Sequence, residues 1–134
     1  MDFPDALRLV LDLEGGKNDD PDDSGGRTNH GITQATYDTY CDRVKKPRQD
    51  VYSISMADVE AIYHHDYWLE CGCDKLPGRL AVTHFQASVL MWASAKKILA
   101  AVQWDEANED LMVYSYLTLQ RERLKSNVAA RPKD

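Results

Sequence analysis

The run from Glu14 to Thr33 reads EGGKNDDPDDSGGRTNHGIT. A single carboxyl group opens it, Asp19, Asp20, Asp22 and Asp23 follow, and glycines punctuate the chain between them. Hydrolysis of a glycosidic bond needs one carboxyl group that keeps a proton for the leaving oxygen. It also needs negative charge or a polarised water beside the oxocarbenium-like transition state. Glu14 suits the first role, and Asp23, nine residues on, comes back across from it if the intervening loop folds as a hairpin. Thr28 is placed to orient a water or a sugar. Gly25, Gly26 and Gly31 permit close backbone approach and positive φ beside a threading polymer. Taken alone, Asp-Asp-Pro-Asp-Asp reads as a solvated turn or a weak calcium loop. It lacks the alternating oxygen ligands and the closing Glu of a helix-loop-helix calcium site, so no metal is expected.

These groups need rigid elements to hold them. Leu7, Val10, Leu11 and Glu14 recur at helical offsets behind Asp2 as N-cap and Pro4 in the first turn, which predicts a helix over 3–14. Glu14 then stands at the end of the apolar face. Partial burial and the negative pole of the helix both favour its protonated form there, and Gly15-Gly16 supplies the C-cap. From Lys17 to Gly31 the helical period is absent, which predicts an ordered loop or short hairpin. Thr33 caps a helix over about 34–42, and Ser55 with Asp58 forms a capping box for one over about 56–69. A long apolar helical region over 77–103, broken around Trp92 to Ser94, and a last helix over about 108–126 complete the chain, with Ala129 to Asp134 frayed. The expectation is one all-α domain spanning residues 1–134 with one irregular excursion between its first two helices.

Charge narrows the partners. The chain has 134 residues with 22 acidic and 16 basic side chains, and residues 1–23 alone hold eight acidic against two basic. The entire net charge of −6 thus lies in the first helix and the loop after it. That disfavours a nucleic-acid or anionic-membrane surface and favours a site that gathers carboxylates. No apolar run approaches the roughly 18 residues of a membrane span, and no basic-then-apolar leader is visible, so synthesis in a cytoplasm without membrane insertion is expected. Cys41, Cys71 and Cys73 read as reduced thiols. Zinc at Cys71, Cys73, His64 and His65 is disfavoured by the Cys-x-Cys spacing and by adjacent histidines on different helix faces. Arg43, Lys45, Lys46 and Arg48 read as a solvated basic loop, with wall polymer or a partner as the rival reading. His30 is read as shaping the loop, Trp68 as core, and Trp92, if exposed, as a partner contact.

The motif residues Glu14, Gly15, Gly16, Asp20, Pro21, Asp23, Gly25, Gly26, Thr28, Gly31, Ile32 and Thr33, together with Ile62, Tyr63, Tyr67, Trp68 and Leu76-Pro77, resemble those of glycoside hydrolase family 108. These are phage and bacterial N-acetylmuramidases of the lysozyme-like superfamily. The resemblance spans about residues 5–104. It implies an all-α lysozyme-like fold, Glu14 as catalytic acid with Asp23 and Thr28 in support, and no cofactor. It further implies Gly25, Gly26, His30, Gly31, Tyr63 and Tyr67 along the substrate. Peptidoglycan glycan strands become the expected partner, and a phage endolysin, exported through holin lesions or carried on a virion tail, the expected setting. The site of action is then periplasmic or extracellular peptidoglycan. Departures are Gln86 and Leu90 where the family carries a groove-lining Asp and Asn, and a C-terminal wall-binding part that is reduced or absent after Gln103. They motivate a rival reading, a catalytically inactive lysozyme-like protein that serves as a tail component or regulates a host protein.

Overall fold

The computed structural model describes residues 2–14, 16–19 and 27–130. In chain order the elements are α1 (Phe3–Glu14), β1 (Lys17–Asp19), β2 (Arg27–Asn29), β3 (Ile32–Thr33), α2 (Gln34–Val44), α3 (Met56–Tyr63), α4 (Gly78–Leu90), α5 (Trp92–Ala101) and α6 (Glu109–Ala130). Short 3-10 turns lie at Val51–Ser53 and Cys73–Lys75, and α3 runs on through a π-helical turn, His64–Leu69. The contacts group the chain into two compact units, Leu7–Asp66 and Met1–Ala6 with Tyr67–Asp134.

Caps fix the element starts as the sequence predicts. The Asp5 amide donates to Asp2 Oδ1 at 3.3 Å, the Thr36 amide to Thr33 Oγ1 at 3.2 Å, and the Asp58 amide to Ser55 Oγ at 3.1 Å. Each satisfies a donor that a helix start leaves open, worth about 1 kcal/mol. Helix α2 ends on Lys45, whose φ of 61° is left-handed and whose amide returns to the Asp42 and Cys41 carbonyls.

In the unit of residues 7–66, β1, β2 and β3 form an antiparallel sheet in that order. The hairpin expected between the first two helices is therefore present, with a third strand that the residue pattern did not announce. Ile32, Tyr37, Tyr40, Cys41, Val51, Ile54, Val59, Ile62 and Tyr63 are buried there. The second unit is built on α4, α5 and α6, with Leu80, Ala87, Ala95, Ile98, Met112 and Tyr116 as its core. A second focus is aromatic: Phe3, Trp68 and Phe85 meet edge to face with centroids 5.4–5.8 Å apart, so Trp68 is a core residue.

Three expectations change. The long helical region breaks at Met91 (φ −149°, ψ 66°), just before the predicted Trp92 to Ser94. Helix α6 runs to Ala130, past the predicted fraying point, and 131–134 lie outside the described residues. The basic loop is not free: Lys46 pairs with Asp58 at 2.6 Å, Arg48 with Asp42 at 2.7 Å and Arg43 with Asp66 at 3.4 Å. Carboxylates 6 to 23 residues away answer it, which local charge counting does not reveal.

Candidate functional site

Glu14 is the last residue of α1. Two residues later the Gly16 carbonyl accepts from the His30 amide at 3.3 Å, so the chain leaving α1 is tied to the turn between β2 and β3. That turn is His30-Gly31, with φ of 54° and 79°. Positive φ at both central residues defines the I′ type of two-residue hairpin turn, which matches the twist of the paired strands. Gly31 takes this without strain, and histidine is among the few side chains that visit the left-handed region.

The turn is held from below. Tyr63, 1% exposed at the end of α3, donates its hydroxyl to the His30 carbonyl at 2.6 Å. Buried Asn29 donates its amide to the Val51 and Tyr52 carbonyls at 3.2 and 3.3 Å. Gln34 accepts from the Val51 amide at 2.8 Å and donates to the Gln49 carbonyl at 2.8 Å. Arg27 pairs with Asp50 at 2.8 Å and lies over the Tyr52 ring, 4.0 Å from its centroid. The Tyr52 amide and Arg27 hold the Asp50 carboxyl below its ordinary range. The 49–52 segment thus braces the sheet through side chains of β2 and α2.

Thr28 is half-buried on β2, opposite Asn18 and Thr33 in register. Asn29 and Ile32 pair on the inward face, so the alternation of a strand turns Thr28 to the other side. The structure therefore brings Thr28, His30 and Gly31 to the chain segment that follows Glu14. Asp23, Gly25 and Gly26 lie outside the described residues. Tyr63 is enclosed, with its hydroxyl bonded to the His30 carbonyl. Tyr67 belongs to the other unit, where it meets Trp92 edge to face at 5.6 Å, and Lys96 Nζ stands 4.9 Å from the Trp92 centroid.

The sequence pattern does not single out Asn29, and it assigns Asp58 to a capping box alone. A strand pair separated by His-Gly was the available signal for the first. Only the Asp58 amide serves the cap, while its carboxylate accepts from Lys46, from Tyr40 at 2.9 Å and from Tyr37 at 3.4 Å. No three His, Cys, Asp or Glu side chains among the described residues stand together as a metal-binding group. Burial pushes the Cys71 thiol up and the Cys73 thiol to about 12, so both stay protonated and are poor metal ligands as they stand.

The sequence profile of Glycosyl hydrolase 108 matches residues 7–92, a segment that holds Glu14, the sheet and α2 to α4. The chain belongs to glycosyl hydrolase family 108. Among solved structures, SagA of Brucella abortus superposes with a TM-score of 0.71 at 25% identity, over 92% of this chain and 79% of that one. No curated protein sequence matches the chain. Glycosyl hydrolase 108 is a family of peptidoglycan-directed glycosidases, and the fold is accordingly the all-α, lysozyme-like one. No helix among the described residues is long and apolar enough to cross a membrane.

Proposed function

We propose that the chain is an N-acetylmuramidase that hydrolyses the β-1,4 bond between N-acetylmuramic acid and N-acetylglucosamine in peptidoglycan, with residues 1–134 acting as one catalytic domain. Glu14 is the general acid that protonates the leaving oxygen. Asp23 and Thr28 place the attacking water or hold the loop that does so, and Gly25, Gly26, His30 and Gly31 let the glycan pass close to the backbone. Tyr67 and the exposed Trp92 beside it offer aromatic surface for a sugar ring. The observation that carries the reading is Glu14 at the end of α1, with the chain after it bonded through Gly16 to the His30-Gly31 turn, all inside the segment matched by the family. The setting we favour is a phage endolysin or a virion-borne lysin.

Turbidity clearing of purified peptidoglycan by wild type and Glu14→Gln tests it. Clearing by the wild type and loss of roughly a thousandfold or more in the variant is expected, since without its acid the leaving group departs unprotonated. Equal clearing by both would remove Glu14 from the role. A second reading rests on Leu90, 60% exposed where the family carries Asn. If folded wild type clears no wall and binds no chitooligosaccharide, the chain is an interaction protein on a lysozyme-like frame.

A further inference from the structure

Helix α6 carries two stripes at heptad spacing on opposite faces. Met112, Tyr116 and Leu119 form the inward one and pack in the core with residues of α4 and α5. Asp110, Tyr114, Leu117, Arg121 and Leu124 form the other, spaced 4, 3, 4 and 3 residues apart. Tyr114, Leu117 and Leu124 are 68%, 49% and 50% exposed. A helix that packs only on its own domain needs one apolar stripe, and Tyr114, Leu117 and Leu124 add exposed apolar positions at the 3-and-4 spacing that a helix–helix seam uses. Beside this seam lies a groove of about 360 Å³ lined by Gln103, Leu111, Tyr114 and Thr118.

Charge identifies the occupant. Asp110 lies four residues before Tyr114 and Arg121 four residues after Leu117, so opposite charges bracket the apolar pair symmetrically. Two copies of α6 laid antiparallel, with Tyr114 against Leu117 of the partner subunit, set each Asp110 against Arg121 of the partner subunit. A parallel pairing sets like against like. Arg121 has no ion-pair partner among the described residues, and Asp110, although paired with Arg79, is three-quarters exposed. We propose that α6 is a self-association surface on which a second copy of this chain packs antiparallel through Tyr114 and Leu117, flanked by two Asp110–Arg121 pairs. The seam from Asp110 to Leu124 is about 21 Å long at 1.5 Å per residue. One helix pair of that length is small beside the ~1,200 Å² of a standard stable complex, so a weak, reversible dimer is expected.

Sedimentation of the whole chain from about 5 to about 500 µM tests the surface. The expected result is a mass that rises from monomer towards dimer, with Leu117→Glu raising the dissociation constant at least tenfold while circular dichroism shows the helices intact. Asp110→Arg and Arg121→Asp should each weaken the dimer about tenfold, and the two together should restore it to within about threefold of wild type. A wild type that stays monomeric throughout overturns the proposal in favour of a different partner on this face. A dimer indifferent to Leu117→Glu places the interface elsewhere, and a double reversal no better than either single one overturns the antiparallel register.

Discussion

Asp58→Asn probes the hub that joins α2 to α3. The native carboxylate accepts from Lys46 Nζ at 2.6 Å, Tyr40 at 2.9 Å and Tyr37 at 3.4 Å. Burial alone would raise its pKa, but Lys46 and the two tyrosines outweigh that and hold it below the ordinary carboxylate range. Asparagine keeps the shape and one acceptor oxygen, yet presents an amide to the Lys46 ammonium. A charge-assisted bond contributes about 1.5–3 kcal/mol against about 1 for a neutral one. Lys46 is 34% exposed and can turn to water, which limits the loss, so about 2 kcal/mol is expected. With an unfolding entropy of about 2.1 cal/mol/K per residue, that lowers Tm by about 7 °C, read by thermal circular dichroism at pH 7.

The pH dependence supplies a second check. A carboxyl group with a depressed folded pKa binds fewer protons folded than unfolded. Its stabilisation is therefore complete above the unfolded value of about 3.9 and fades as pH falls through the lower folded value. The Tm gap between wild type and Asp58→Asn should hold from about pH 7 to about pH 5 and close only below about pH 4. Lys46→Met should add little in the Asp58→Asn background. Equal Tm values at neutral pH, or a gap that has already closed by about pH 5, would refute the reasoning.

Tyr63→Phe removes the donor to the His30 carbonyl and should lower stability by about 1 kcal/mol, with a severalfold fall in peptidoglycan clearing as the turn loosens. Unchanged clearing with lowered Tm would separate the turn from the site. His84 is buried with Nδ1 2.7 Å from the Tyr116 hydroxyl, and burial lowers its pKa against a hydrogen bond from the ring to the Cys71 backbone carbonyl, which raises it. Its folded state resists protonation, so stability is full above about pH 6.5 and declines as pH falls below it. His84→Gln should flatten that decline between about pH 6.5 and pH 5 in urea midpoints. The same slope in both proteins would reject the assignment.

What was legible in the sequence is what is local. Asp2, Thr33 and Ser55 each announce a helix start because cap and capped amide lie three residues apart, and the period of α1 places Glu14 at its end without any tertiary information. Tyr63 and His30 are 33 residues apart, and Asn29 reaches Val51 across 22, so neither pairing leaves a mark in residue order. Part of the motif that carries the family resemblance is frame. Gly31 is there for a turn at φ 79°, Ile32 is buried, Thr33 caps α2, and Tyr63, in the second block, braces the turn. A chain that had lost its chemistry would retain all four, because folding alone requires them. Glu14 is the residue on which the proposed chemistry rests, as the acid that protonates the leaving oxygen. Exchanging it for glutamine, which keeps the helix and removes the acid, therefore discriminates enzyme from relic in a way that further motif matches cannot.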